Sequence, residues 1–172
     1  MIKTYKNFLD KKEMNHIYSN MTSSDFAWYL NNILNAKEYE VIKNYNTQLT
    51  HSFYLNDTIN SPAFSLLNPI LKKIKHFSLL RIKANLILKT DKIYEHGMHT
   101  DFKNKGTKIT TGIFYVNTNN GYTKFKNGTV INSEQNKYVE FDSNLEHTGT
   151  SCTDSTYRIV INFNYIKNEY SK

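Results

Sequence analysis

Apolar positions follow one rhythm up to about residue 77 and another after it. In the first stretch they recur at intervals of three and four, the spacing of a buried helix face. Asp10 followed by Glu13 is the signature of a capping box, and it predicts a short helix with Met14, Ile17, Tyr18 and Met21 along one side. Ser61 as N-cap with Pro62 in the first turn predicts a second helix, whose stripe is Phe64, Leu67, Ile70, Leu71 and Ile74. From Ser78 on, the runs SLLRIKANLILK, HGMHTDF, TKITTGIFYVN, GYTKFKNGTVI, KYVEFD and TYRIVINFNY read as strands. All six glycines (Gly97, Gly106, Gly112, Gly121, Gly128 and Gly149) lie in this half, so tight turns are concentrated there. Asn119-Asn120-Gly121 and Asn127-Gly128, flanked by Tyr, Thr, Phe and Val, predict antiparallel hairpins. The expected fold is α+β, mainly β: a twisted antiparallel sheet closed into a jelly-roll barrel, with two or so N-terminal helices packed on it.

No repeat, low-complexity tract or Pro/Ser-rich linker interrupts the chain. Residues 1–172 are therefore read as a single domain, with a helical or mixed part over 1–77 and a barrel core over 78–166. The 39% hydrophobic content supplies a core and excludes a disordered tail. No run is apolar enough to span a membrane, and MIKTYKNFLDKKE lacks the apolar stretch of a secretion signal, so a cytoplasmic location is expected with no membrane partner. Cys152 has no partner cysteine and reads as an unpaired structural thiol. The net charge of +7 raises the question of nucleic acid. Arginine, however, occurs only at Arg81 and Arg158, while lysine, asparagine, isoleucine and tyrosine abound, as AT-rich coding produces. Nucleic acid is thus the less favoured partner. The densest basic group, Lys72, Lys73, Lys75 and His76, is placed on the second helix.

Candidate chemistry gathers at four residues. If HGMHTDF is extended, His99 and Asp101 project from one face and Thr100 from the other. Imidazole nitrogen with carboxylate oxygen suits Fe(II), Mn(II), Co(II) or Zn(II), and His147, after KYVEFD and a short loop, can complete a facial triad. Arg158 opens the apolar strand RIVINF, where a planar guanidinium needs an anionic partner. His96, three residues from His99, would face the opposite way and cannot share the ion. His16, His51 and His76 are read as surface or satisfied side chains, and Glu95 and Glu146 as rim charges. Trp28 and Tyr29 are read as an aromatic pair beside the core.

With His99-Thr100-Asp101, His147-Thr148-Gly149 and Arg158 in this order, and with the strand motifs Ile113-Phe114-Tyr115-Val116-Asn117 and Gly121-Tyr122-Thr123, the chain resembles the iron(II) and 2-oxoglutarate dependent dioxygenases over roughly Leu79 to Tyr165. The likeness is to their prolyl 4-hydroxylase-like branch, of the kind found in phage and marine bacterial genomes. That resemblance implies a double-stranded β-helix in which His99, Asp101 and His147 hold Fe(II) and Arg158 pairs with the distal carboxylate of 2-oxoglutarate. It also implies O2 as oxidant, ascorbate as reductant, and hydroxylation with release of succinate and CO2. The branch places a tyrosine on the strand before HxD, and Arg81-Ile82-Lys83-Ala84-Asn85-Leu86 has none; Asn85 and Tyr115 are the substitutes expected in co-substrate binding. The substrate would be a peptide, protein or small molecule. Peptidyl proline is suggested by the branch, with a nucleobase or free amino acid as alternatives. A non-catalytic metal-binding jelly roll and a zinc hydrolase are the competing readings, and a hydrolase has no use for Arg158.

Overall fold

The protein is described by a computed structural model over residues 1–32, 47–103 and 106–168. Its strands form two antiparallel sheets facing each other, with two helical segments behind the larger one. The larger sheet has β1 (Lys3–Tyr5), β9 (Lys137–Asp142), β6 (Ile109–Tyr115), β11 (Tyr157–Lys167), β5 (His76–Leu88), β3 (Thr47–Leu55) and β2 (Tyr29–Asn32) in that order, with β4 (Thr58–Ile59) attached to β3. The smaller sheet is β10 (His147–Gly149), β7 (Tyr122–Phe125) and β8 (Val130–Asn132). This is the jelly-roll arrangement with helices on one side.

Helix α1 (Lys11–Met21) begins at the capping box: Asp10 accepts from the Glu13 backbone N–H at 2.8 Å, and Glu13 returns a carboxylate to the Asp10 N–H at 3.2 Å. Its Met14, Ile17 and Met21 are buried. The second helical segment is split. A 3-10 turn over Pro62–Leu67 gives way to helix α2 (Asn68–Lys73), because Pro69 has no N–H to continue a single ladder. Leu67, Ile70 and Ile74 nevertheless point to the core as the stripe requires. The helix stops at Ile74, Lys75 turns with φ 48°, and His76 opens β5, so the basic group does not lie on one helix as expected.

The first part, expected to be helical or mixed, also holds the strands β1 to β4, none of which was placed from the sequence. Asn127-Gly128 closes the β7–β8 hairpin with Gly128 at φ +88°, a conformation favouring glycine. Asn119-Asn120-Gly121 instead carries the chain from the larger sheet to the smaller one, so β6 and β7 are not a hairpin.

Alternation along the central strands separates two cores. On β11, Ile159, Ile161, Phe163 and Tyr165 pack with the helices, together with Ile82, Ala84 and Leu86 of β5. Each of the buried Ile, Leu and Phe side chains contributes about 1.5–3 kcal/mol. The opposite face, with Tyr115, Ile113, Val160, Val139 and Phe141, meets Phe125 of the smaller sheet. Between the two sheets this second face becomes polar, and there the chain opens into a cavity.

Candidate active site

The pairing register stacks the inward side chains of β5, β11 and β6 into rungs. Arg158 lies opposite Ile87; Val160 opposite Asn85 and Tyr115; Asn162 opposite Lys83 and Ile113; Asn164 opposite Arg81 and Thr111. At the last rung all three residues grip one carboxylate. Arg81 Nη2 donates to Asp101 Oδ1 at 3.1 Å, while Thr111 Oγ1 and Asn164 Nδ2 each donate to Oδ2 at 2.9 Å. Burial raises the pKa of the Asp101 carboxyl, but the charges of His147 and Arg81 and the bonds from Asn164 and Thr111 outweigh burial and hold it below its ordinary value.

His147, on β10 of the smaller sheet, and His99, bridged to it, lie beside that carboxylate. Their backbones exchange two hydrogen bonds, at 3.0 and 2.9 Å, and their rings lie 4.7 Å apart. His99 Nδ1 is 3.1 Å from the Gly97 carbonyl and His147 Nδ1 is 3.0 Å from that of Leu145. A carbonyl only accepts, so each Nδ1 carries a hydrogen, and in the neutral ring that leaves the Nε2 lone pair for a ligand. Burial lowers the pKa of His147, an effect Asp101 only partly opposes, and this favours its neutral, ligating form. Phe141 packs edge-on against His147 at 4.8 Å. One ligand atom from each of His99, Asp101 and His147 lies within 4.8 Å of the others. Two imidazole nitrogens and one carboxylate oxygen are a donor set that fits a divalent first-row metal.

Arg158 is almost fully buried, yet no carboxylate among the described residues reaches it. Its Nε donates to Ser133 Oγ at 2.8 Å and its Nη2 to Thr123 Oγ1 at 3.2 Å, both neutral groups. The Tyr115 ring lies 5.8 Å from the guanidinium, and the Tyr115 hydroxyl donates to the same Thr123 oxygen at 2.9 Å. An unpaired buried cation is costly, and this one shares a cavity of about 360 Å³ with His99, Asp101 and His147.

Several solved structures share this architecture. A 2OG-Fe(II) oxygenase family oxidoreductase from Burkholderia pseudomallei superposes with a TM-score of 0.64 at 11% identity, covering 95% of this chain and 84% of that one. The chain shares its jelly-roll fold with that oxidoreductase. A Trichoplax adhaerens prolyl hydroxylase in complex with a hypoxia inducible factor peptide fragment gives 0.61 at 10% identity, covering 96% of this chain and 83% of that one. The viral collagen prolyl hydroxylase of Paramecium Bursaria Chlorella virus-1 gives 0.57 at 11%, covering 97% and 90%. No family model and no curated protein matches the sequence.

Asn85 lines the cavity, its Oδ1 accepting from Gln48 Nε2, and Tyr115 lies under Arg158. His96 departs from expectation. Bridges pair Glu95 with Thr150 and His99 with His147, so four steps on one side match three on the other. The extra residue breaks the two-residue alternation, and His96 and Thr100 line the same cavity as His99. His96 Nε2 is buried with no partner, and burial, aided by the charges of Arg158 and His99, pushes its pKa down to about 3. The sequence reading also missed Arg81 and Asn164 as partners of Asp101, although polar residues at alternate positions of otherwise apolar strands were the signal. Glu95 pairs with Lys124 and Glu146 with Lys126, His51 bonds Ser61 Oγ at 2.7 Å, and Cys152 is buried and unpaired. No helix among the described residues is long and apolar enough to cross a membrane.

Proposed function

We propose that this protein is an Fe(II)- and 2-oxoglutarate-dependent oxygenase that hydroxylates an organic substrate. The observation that carries this reading is Arg158: a buried guanidinium lacking an anion, in the same cavity as a two-histidine, one-carboxylate set. His99 Nε2, His147 Nε2 and an Asp101 oxygen would hold the metal. Arg158 would fork onto the distal carboxylate of 2-oxoglutarate, with Ser133 and Thr123 fixing its plane. Fe(II) so bound supplies oxygen activation: substrate, O2 and 2-oxoglutarate become hydroxylated product, succinate and CO2.

The chain's own contribution is positional. Arg81, Thr111 and Asn164 keep Asp101 ionised and aimed, and Phe125 and Phe141 back the His147 ring away from water. Likeness to prolyl hydroxylases supports peptidyl proline as the substrate, with a free amino acid or a nucleobase as the alternatives. Succinate release in the presence of Fe(II), 2-oxoglutarate and ascorbate tests the reading. It should require Fe(II) and vanish in Asp101→Ala; equal release by that variant would overturn the assignment.

A further inference from the structure

The rung next to the metal end, one of two between it and the Arg158 end, holds two polar groups without partners. Lys83 is half-buried and lines the cavity, and no carboxylate among the described residues lies within ion-pair distance of it. Other lysines find acids: Lys124 reaches Glu95 at 2.9 Å, Lys137 reaches Glu134 at 2.8 Å, and Lys167 reaches Glu140 at 2.6 Å. The nearby carboxylate of Asp101 is already taken, Oδ1 by Arg81 and Oδ2 by Thr111 and Asn164. Directly opposite Lys83 on β11, Asn162 also lines the cavity, and its Oδ1 is buried with no hydrogen-bond partner. A cation and an acceptor left unsatisfied on one rung, inside a cavity, form a recognition pair awaiting a ligand.

On the oxygenase reading, on which this inference rests, both carboxylates of 2-oxoglutarate already have places, one at Arg158 and one at the metal. Lys83 is therefore a third anion-binding group. We infer that the primary substrate is a small acid, whose carboxylate or phosphate is held by Lys83 and whose neighbouring N–H or O–H is accepted by Asn162. The reacting carbon would then sit beside the Asp101 rung, one step along the sheet.

The test uses the full chain loaded anaerobically with Fe(II) and 2-oxoglutarate, where no turnover occurs. N-acetylproline and glycerophosphate are titrated beside their uncharged counterparts, N-acetylprolinamide and glycerol. Binding is read by calorimetry and by perturbation of the charge-transfer band. At least one acid should bind about 10-fold or more tightly than its neutral partner, and the acid that does so identifies the carboxylate or phosphate source. Lys83→Met should abolish the preference, weakening the acid roughly 10- to 100-fold, while Lys83→Arg retains it. The band itself should form in Lys83→Met, because the co-substrate does not depend on this lysine. Equal binding of acid and neutral probes, no saturable binding of either acid, or loss of the band in Lys83→Met would each overturn the inference. Absence of the band in iron-loaded wild type would overturn the oxygenase reading as well. A band without anion preference overturns this inference alone.

Discussion

Arg81 and Asp101 meet at 3.1 Å on the cavity wall, the arginine side chain about a quarter exposed and the carboxylate nearly buried. Arg81 is itself held, its Nε donating to Asn164 Oδ1 at 2.9 Å, and Asn164 in turn donates to Asp101. Three residues from three strands thus fix a carboxylate that belongs to none of those strands.

Removing Arg81 should loosen that carboxylate. Arg81→Met leaves Thr111 and Asn164 in place but takes away the positive charge, so the pKa of Asp101 rises. Partners of this kind are worth roughly 10- to 100-fold in metal affinity. A Co(II) titration followed by visible absorption should show a loss of that size, and wild-type affinity would contradict the positioning role.

Gly121 makes room for Arg158. A Cβ at Gly121 would come within 2.7 Å of Arg158 Cδ and of the Ser151 carbonyl oxygen, closer than real contacts allow. Gly121→Ala should cost about 1–3 kcal/mol in urea unfolding and weaken 2-oxoglutarate binding while leaving Co(II) binding intact. Undiminished 2-oxoglutarate affinity would show that Arg158 is not so confined.

His96 makes the metal-free protein acid-sensitive. Its pKa is about 3 when folded, against an ordinary 6.5. As pH falls below about 6.5, the unfolded chain takes up a proton that the folded protein refuses, so stability drops progressively towards pH 3. His147, also lowered, acts in the same direction. The melting temperature should fall between pH 7 and pH 5, and by less in His96→Gln. Parallel curves for the two proteins would refute the assignment.

Much of the site was legible because its chemistry is ordered along the chain. His99, Asp101, His147 and Arg158 announce themselves as polar residues in β-rich sequence, and the structure brings all four to one cavity. The helix faces were legible because Met14, Ile17 and Met21 on one helix, and Leu67, Ile70 and Ile74 on the other segment, recur at helical spacing. Strand β3, TQLTHSFYL, was not, since no glycine or proline punctuates it and its alternation is mixed. The cavity role of His96 depended on an extra residue between two bridges, which no local pattern displays. Lys83 and Asn162 each alternate inward, but their pairing depends on the register between β5 and β11, set by tertiary packing.

The central claim is that Arg158 awaits a carboxylate of a ligand that also meets the metal. The most direct measurement is anaerobic titration of 2-oxoglutarate into the Fe(II) protein, watching for the metal-to-ligand charge-transfer band. Wild type should give a saturable band. Arg158→Ala should bind iron equally well but need roughly 30- to 1000-fold more 2-oxoglutarate, the equivalent of losing about 2–4 kcal/mol of a buried charge-assisted contact. Arg158→Lys should fall between the two, because a point charge reproduces only part of a bidentate fork. No band in wild type with iron demonstrably bound, or an identical titration in Arg158→Ala, would contradict the account.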